Sequence, residues 1–319
     1  MIAAIHKLLE PDTAGDPITG IKWSRKTTRK LSEELNKAGV AVSHTTVARL
    51  LEQLDYRLRV NRKQVARANH PQRNEQFEYI RAARRHCGEQ DIPVISVDSK
   101  KRELVGCFKN AGSVWAQNPR PVNDHDFRSD AAGVALPYGI HDVRANRGEI
   151  FVGTSHDTPV FAVTAIARWW AATGRWRYPH TAQLLILADG GGSNAARSRV
   201  WRHQIQHQIA DAFGVTVTVS HYPPGTSKWN PIEHRLFAEI SKHWAGEPLV
   251  SYETILNYIR TTTTAAGLTV NAAMLEGEYP TGVRVSDQEM QQLDFQRHIV
   301  CPLWNYTIAP QTRKCEVVS

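Results

Sequence analysis

Three acidic residues stand at positions suited to phosphodiester chemistry supported by divalent cations. Asp98 closes the short β-branched run Ile92-Pro93-Val94-Ile95-Ser96-Val97, and Asp189 closes the apolar run Leu184-Leu185-Ile186-Leu187-Ala188. Glu233 follows the Gly- and Pro-broken stretch Gly225-Thr226-Ser227-Lys228-Trp229-Asn230-Pro231-Ile232. Crowded carboxylates repel one another unless a cation neutralises them, and hard oxygen ligands select Mg²⁺ or Mn²⁺. Two such ions roughly 4 Å apart can activate an attacking oxygen and stabilise a leaving one in an in-line displacement. A local reading of Glu233 competes with this. Asn230 suits an N-cap and Pro231 a first helical position, so Glu233 falls where a capping box would return its side chain to the Asn230 N–H.

The elements between these acids decide whether they can meet. Ile92–Asp98 reads as a buried strand, Glu103–Phe108 as its hairpin partner, Asn110–Gly133 as a long loop, and Val134–Val143 and Glu149–Gly153 as further strands. Thr158–Thr173 reads as a helix, Leu184–Ala188 as a strand and Val215–Ser220 as another. Between those strands Ser193 is expected to cap a helix that reaches about Phe213. Three strands, helix, strand, helix, strand, helix is the ribonuclease H-like order. If its first and fourth strands are neighbours, Asp98 and Asp189 project side by side and Glu233 reaches them from the covering helix.

The basic charge is concentrated elsewhere. The chain of 319 residues carries a net charge of +8, yet residues 21–90 hold 16 Lys and Arg against 7 Asp and Glu, an excess of +9. This asymmetry is expected of a polyanion-binding module attached to a more neutral body. Within it, Thr28–Lys37 and a second helix after Ser43 are separated by a turn at Gly39, the spacing of a helix-turn-helix. Val47, Leu50, Leu51 and Leu54 would bury one face of the second helix. His44, Thr45, Thr46 and Arg49 would remain for base edges, with Arg57, Arg59, Arg62 and Lys63 for phosphates. Lys100 and Lys228, beside the acids, are further DNA-contact candidates.

An apolar content of 41% with nine Trp places the chain among folded proteins. No run approaches the roughly 18 apolar residues of a membrane span, and Met1–Pro11 lacks a signal peptide's pattern, so an intracellular protein is expected. Cys87, Cys107, Cys301 and Cys315 form no Cys-x-x-Cys pair, which argues for reduced thiols. Rival sites are weaker. Leu185–Asn194 lacks phosphate-loop spacing, and His203 with His207 has no third ligand. Asp124, His125 and Asp126 read as solvated loop residues. Trp169, Trp170, Trp201 and Trp229 read mostly as core, and the last 70 or so residues as a helical and irregular extension.

Five stretches carry a resemblance that spans about Leu8 to Pro310. They are Val94–Lys101, Val105–Asn110, His125-Asp126-Phe127, Ala188–Asn194 and Pro223–Phe237. Together they are similar to the Rhodopirellula-type DDE transposases, the ISAzo-type insertion-sequence family. The resemblance implies an α/β, ribonuclease H-like catalytic domain with a mixed five-stranded sheet and helices on both faces, preceded by the helix-turn-helix module. It implies a catalytic and metal-binding triad of Asp98, Asp189 and Glu233 with two Mg²⁺ or Mn²⁺ ions. The expected boundaries are 1–90 for the DNA-binding region and its basic linking helix, 91–250 for the catalytic domain and 251–319 for the extension. The implied activity is cleavage at element ends and strand transfer into target DNA. The partners are double-stranded DNA (terminal inverted repeats and target) and further copies of the chain on DNA, in the bacterial cytoplasm and on the nucleoid when bound. The alternatives are a structure-specific nuclease on the same fold and an inert helix-turn-helix protein from a truncated element.

Overall fold

The computed structural model describes residues 2, 4–5, 13–15, 22–24, 27–54, 56 and 70–311. The chain divides into two compact units, Met1–Val65 and Ala66–Ser319.

In the first unit a two-stranded antiparallel ribbon, β1 (Thr13–Gly15) and β2 (Lys22–Ser24), precedes α1 (Thr28–Lys37) and α2 (His44–Gln53). Both helices start on hydroxyl caps. Thr27 accepts from the Lys30 N–H and Ser43 from the Thr46 N–H, each satisfying a donor that the first turn leaves unpaired. Gly39, at φ +83°, turns the chain between them. The Asn36 side chain brackets Val42, accepting from its N–H and donating to its carbonyl, while the Ser32 hydroxyl donates to the same carbonyl. Leu31, Leu35, Val47 and Leu50 bury together with Ile5.

The second unit is built on a nine-stranded sheet. Its strands are β3 (Val94–Ser99), β4 (Glu103–Val105), β5 (Gly133–Asp142), β6 (Arg147–Gly153), β7 (Gln183–Ala188), β8 (Thr216–His221), β9 (Thr269–Met274), β10 (Phe295–Arg297) and β11 (Asn305–Ile308). The order is β10-β11-β8-β7-β3-β5-β6-β9, with β4 paired to β5. The five central strands form the ribonuclease H-like layout: β3, β5 and β6 make an antiparallel meander, and β7 and β8 join β3 in parallel.

Successive side chains of a strand face opposite sides, and here both sides are covered. Leu184, Ile186 and Ala188 of β7 face Phe161, Ile166 and Trp169 of α4 (Pro159–Trp169) and Trp201 of α5 (Arg199–Ile205). Leu185 and Leu187 face Ile80 and Cys87 of α3 (Arg73–Glu89). Further along the sheet Ile150 and Val152 of β6 meet Ile232, Leu236 and Ile240, which lead into α6 (Ala238–His243), together with Ile255 and Ile259 of α7 (Tyr252–Arg260). Cover on both faces explains why β7 reads as an unbroken apolar run.

Several details differ from the sequence-based expectation. Glu103–Phe108 is not the hairpin partner of β3: the Lys100 N–H pairs with the Pro137 carbonyl, continuing the β3–β5 ladder, and the shorter β4 pairs with β5 beyond it. The linking helix α3 belongs to the second unit, because Phe77, Ile80, Ala83 and Cys87 pack on the sheet. The C-terminal stretch is not merely helical and irregular. It adds β9 beside β6 and β10–β11 beside β8, so the sheet has nine strands rather than five. Ser193 lies in a tight turn over Gly192–Asn194, and the cap of α5 is Ser198, which accepts from the Trp201 N–H.

Candidate active site

Register brings the first two acids together. Val97 of β3 pairs with Ala188 of the parallel β7, so Asp98 and Asp189, one residue further along each strand, emerge at the same carboxyl edge of the sheet. Asp98 is buried, 9% exposed, and Asp189 half-buried. The Asp98 carboxylate accepts from the Ser99 N–H at 2.8 Å and that of Asp189 from the Gly191 N–H at 3.3 Å.

Glu233 is delivered by a device that its own stretch does not reveal. The Asn230 N–H is bound by the Ser227 carbonyl at 2.8 Å, so no capping box forms with Glu233. The Asn230 side chain instead turns to β3, where its carbonyl accepts from the Ser96 hydroxyl at 2.6 Å and its amide donates to the Val97 carbonyl at 3.2 Å. The Ser96 oxygen in turn accepts from the Ile232 N–H at 3.0 Å. Ser96 lies two residues before Asp98 on the same strand face, so the start of the Glu233 segment is bonded directly beneath Asp98.

Two glycines let the segment sit close. A Cβ at Gly139, the register partner of Asp98, would lie 2.4 Å from Phe237 and 2.8 Å from Ile232, and one at Gly148 would lie 2.4 Å from Leu236. Glu233–Phe237 forms a π-helical turn, a form found frequently at functional sites.

The electrostatics record the convergence. Burial and then the Asp189 charge push the Asp98 carboxyl up to about 8, with further contributions from Glu233 and Asp157, opposed by the Ser99 N–H. Asp189 is raised by burial and by Asp157, against the Gly191 N–H. Glu233 is raised by burial and by Asp189, while His234, Lys100 and a bond with Asp98 oppose the rise. Among the described residues no three ligand side chains stand in closed coordination geometry. What the edge presents is a set of carboxylates in which Asp98 is raised by Asp189, Glu233 and Asp157, Asp189 by Asp157, and Glu233 by Asp189.

Asp157 is a fourth acid that the sequence analysis did not single out. It precedes the Thr158 cap of α4 and accepts from the Ser99 hydroxyl at 2.9 Å. Only the fold brings it to the Asp98 edge. A buried relay steadies Asp189 from behind. The Trp201 indole N–H donates to the Tyr306 hydroxyl at 2.8 Å, Tyr306 donates to His221 Nε2 at 3.0 Å, and His221 Nδ1 donates to the Asp189 carbonyl at 2.9 Å. Burial pushes His221 down to about 4, so the ring is neutral and can carry one proton and one lone pair in this order.

The DNA-contact candidates have different fates. His44, Thr45 and Arg49 are exposed on α2, and Thr46 is half-buried, its hydroxyl 3.0 Å from that of Ser43. Arg57, Arg59, Arg62 and Lys63 lie outside the described residues. Lys228 is exposed and its ammonium lies 5.5 Å from the centre of the half-exposed Trp229 ring. The Lys100 side chain is largely buried, with its ammonium 3.0 Å from Glu103 and 4.5 Å from the centre of the Trp244 ring. A groove of about 430 Å³ opens there, bounded by Lys100, Glu233 and Trp244. Asp124, His125 and Asp126 are exposed. Trp169, Trp170 and Trp201 are core.

Three solved structures of the Mos1 transposase are among those similar to this chain. The paired-end complex with the left transposon end is 16% identical with a TM-score of 0.44. The strand transfer complex is 17% identical with a TM-score of 0.43, and the paired-end complex with Mg is 14% identical with a TM-score of 0.44. Each comparison covers 81% of this chain and 69% of the Mos1 chain. No curated protein matches the sequence. Residues 4–310 match the Rhodopirellula transposase DDE domain, nearly the whole length described, and the chain belongs to that family of transposases.

Proposed function

We propose that this transposase cuts and joins DNA at the edge formed by Asp98, Asp189 and Glu233. The observation that carries this reading is geometric: the β3–β7 register sets Asp98 and Asp189 at one sheet edge, and the Ser96–Asn230 bonds hold the start of the Glu233 segment beneath Asp98. Buried, mutually close carboxylates in a cleft are the arrangement that functional sites use. The donor set, all carboxylate oxygen, fits Mg²⁺ or Mn²⁺ and disfavours softer metals. A pair of such ions would supply charge for the attacking and leaving oxygens of an in-line displacement. Asp98 and Asp189 would hold them from the sheet edge, and Glu233 from the helix side.

The reaction has two steps. Water attacks the phosphodiester at the element's end, the P–O3′ bond to the element breaks, and the element strand keeps a 3′-hydroxyl. That hydroxyl then attacks a target phosphodiester, whose own 3′-oxygen leaves with a proton. The chain's part is placement: the Ser96–Asn230 bonds fix Glu233 relative to Asp98, and the Trp201–Tyr306–His221 relay holds the Asp189 backbone. The groove beside Glu233 offers a strand its approach. His44, Thr45, Thr46 and Arg49 of α2 would read bases, Arg57, Arg59, Arg62, Lys63 and Lys228 would meet phosphates, and copies of the chain would assemble on paired ends.

A strand-transfer assay with labelled element ends, taken from inverted repeats flanking the reading frame, tests this. Joined products in Mg²⁺ are expected. Cutting without joining would identify a nuclease, and binding without either an inert DNA-binding protein.

A further inference from the structure

On the other side of Asp189 the charge reverses. A pocket of about 260 Å³ begins at Gly190, the residue after Asp189, and is lined by Arg197, Arg202 and Arg297 over the rings of Phe295 and Tyr306. No acidic side chain lines it. Arg202, from α5, lies 5.2 Å from the centre of the Phe295 ring and 5.8 Å from that of Tyr306; Arg297, from β10, lies 5.8 Å from the same Phe295 ring. Two guanidinium groups therefore share one aromatic ring.

Their partners do not account for them. Arg202 donates through one terminal nitrogen to the Ala196 carbonyl at 2.7 Å, while its Nε is buried with no acceptor. Among the described residues no carboxylate pairs with Arg197, Arg202 or Arg297, although Arg199 nearby is matched by Asp287. Burial lowers the Arg202 pKa and the Arg297 and Arg199 charges lower it further. A buried donor without an acceptor is costly, so such a cluster points to an anion that completes it. Planar guanidinium forks match the paired oxygens of a phosphate.

We propose that this pocket binds a phosphodiester of the DNA strand that lies against the acid cluster, a neighbour of the phosphate that is cut. The site rests on the transposase reading for its ligand, but not for its charge. It would hold the strand on one side of Asp189 while the carboxylates act on the other, so that one strand is gripped and cut across a single residue boundary. Arg202 supplies the stacked, partly buried fork, and the exposed Arg197 and Arg297 close over the outer oxygens.

The test uses the full chain and an element-end duplex without added divalent metal. Arg297 is exposed, so Arg297→Ala should leave the fold intact. It should reduce the slope of log K against log salt by about 0.7 to 0.9, the loss of one phosphate contact. Single methylphosphonate substitutions stepped along the cut strand locate that contact. One position near the cut should weaken the wild-type protein and leave Arg297→Ala unaffected, while other positions weaken both alike. Arg202→Lys, which keeps the charge but loses the fork, should show a reduced loss at the same position. An unchanged salt slope, or no position that distinguishes the proteins, overturns the proposal. Inorganic phosphate serves as the second probe: if it raises the Tm of the wild type but not of Arg297→Ala, and no methylphosphonate position stands out, the pocket is a small-anion site and the DNA assignment is wrong. A wild type that shows the distinguishing position yet neither cuts nor joins would sink the catalytic reading and leave the phosphate contact standing.

Discussion

Asp189 and Gly190 divide two regions that break the same rule in opposite directions. On one side Asp98, Asp189, Glu233 and Asp157 concentrate negative charge, and on the other Arg197, Arg202 and Arg297 concentrate positive charge. Each region could have been neutralised by the other, yet the described ion pairs join none of these acids to any of these arginines. Like charges left without complements hold a field ready for a ligand of opposite sign. On the proposed reading the two regions would serve one DNA strand, the acidic side through bound cations and the basic side through a backbone phosphate.

The sharpest way to break the acidic half is to remove one charge without changing shape. Glu233→Gln should cut joining and cutting by about 10²-fold or more, because charge placement carries most of phosphoryl-transfer catalysis. Stability should hold or rise, since Glu233 makes no capping bond and the neutral side chain relieves repulsion with Asp189. Cutting by a folded, DNA-bound Glu233→Gln near the parent rate would remove Glu233 from the site. Gly139→Ala attacks the same residue through its seat. The added methyl would meet Phe237 and Ile232, with a stability loss of about 1–3 kcal/mol from overpacking. Activity should fall more than Tm explains, because the Glu233 segment is displaced; if activity tracks folded fraction alone, the close approach is only packing.

These two residues also show how far the sequence was legible. Strand periodicity located Asp98 and Asp189 because a buried strand ending on an acid is a local pattern. Which strands were neighbours followed from the order of elements. Glu233 was found by type, but its local environment was misread, because a capping box is a statement about i to i+3 and the Asn230 side chain is held by Ser96, 134 residues away. Asp157 left no local signal: it stands in a loop before a cap, and only the approach of Ser99 brings it to the site. Strands β10 and β11 are 3 and 4 residues long, too short for alternation to show, and the arginine pocket that they help to form draws on residues from 190 to 306. Local chemistry was readable; clusters assembled by distant segments were not.

The acidic half should also make stability respond to pH. Asp98 has a folded pKa raised to about 8, above its unfolded value near 4. A raised carboxyl favours folding fully below the unfolded value, and that contribution is lost as pH rises through the folded one. In chelator, Tm should therefore decline between about pH 4 and 8 and flatten above. Asp98→Asn should flatten the decline and gain more than about 1 kcal/mol at pH 8. Adding Mg²⁺ at pH 8 should raise the Tm of the wild type and do little for Asp98→Asn. A pH-independent Tm in chelator would mean that the carboxylates do not repel as their placement implies.

The smallest expected effect separates the core of the acidic half from its margin. Asp157 adds to the charge felt by Asp98 and Asp189, yet its carboxylate is already an acceptor for the Ser99 hydroxyl. Asn offers the same acceptor without the charge, so Asp157→Asn should preserve the Ser99 bond and the start of α4. If Asp157 acts only through its field, the pH decline of Tm should become shallower, the Mg²⁺ midpoint for cutting should shift by about 2- to 10-fold, and the rate at saturating Mg²⁺ should stay near the parent value. If instead it is a direct ligand, saturating Mg²⁺ will not restore the rate and the loss will approach that of Glu233→Gln. The two outcomes differ in whether added metal rescues the variant, a distinction that loss of fold would not mimic because Tm is measured on the same samples.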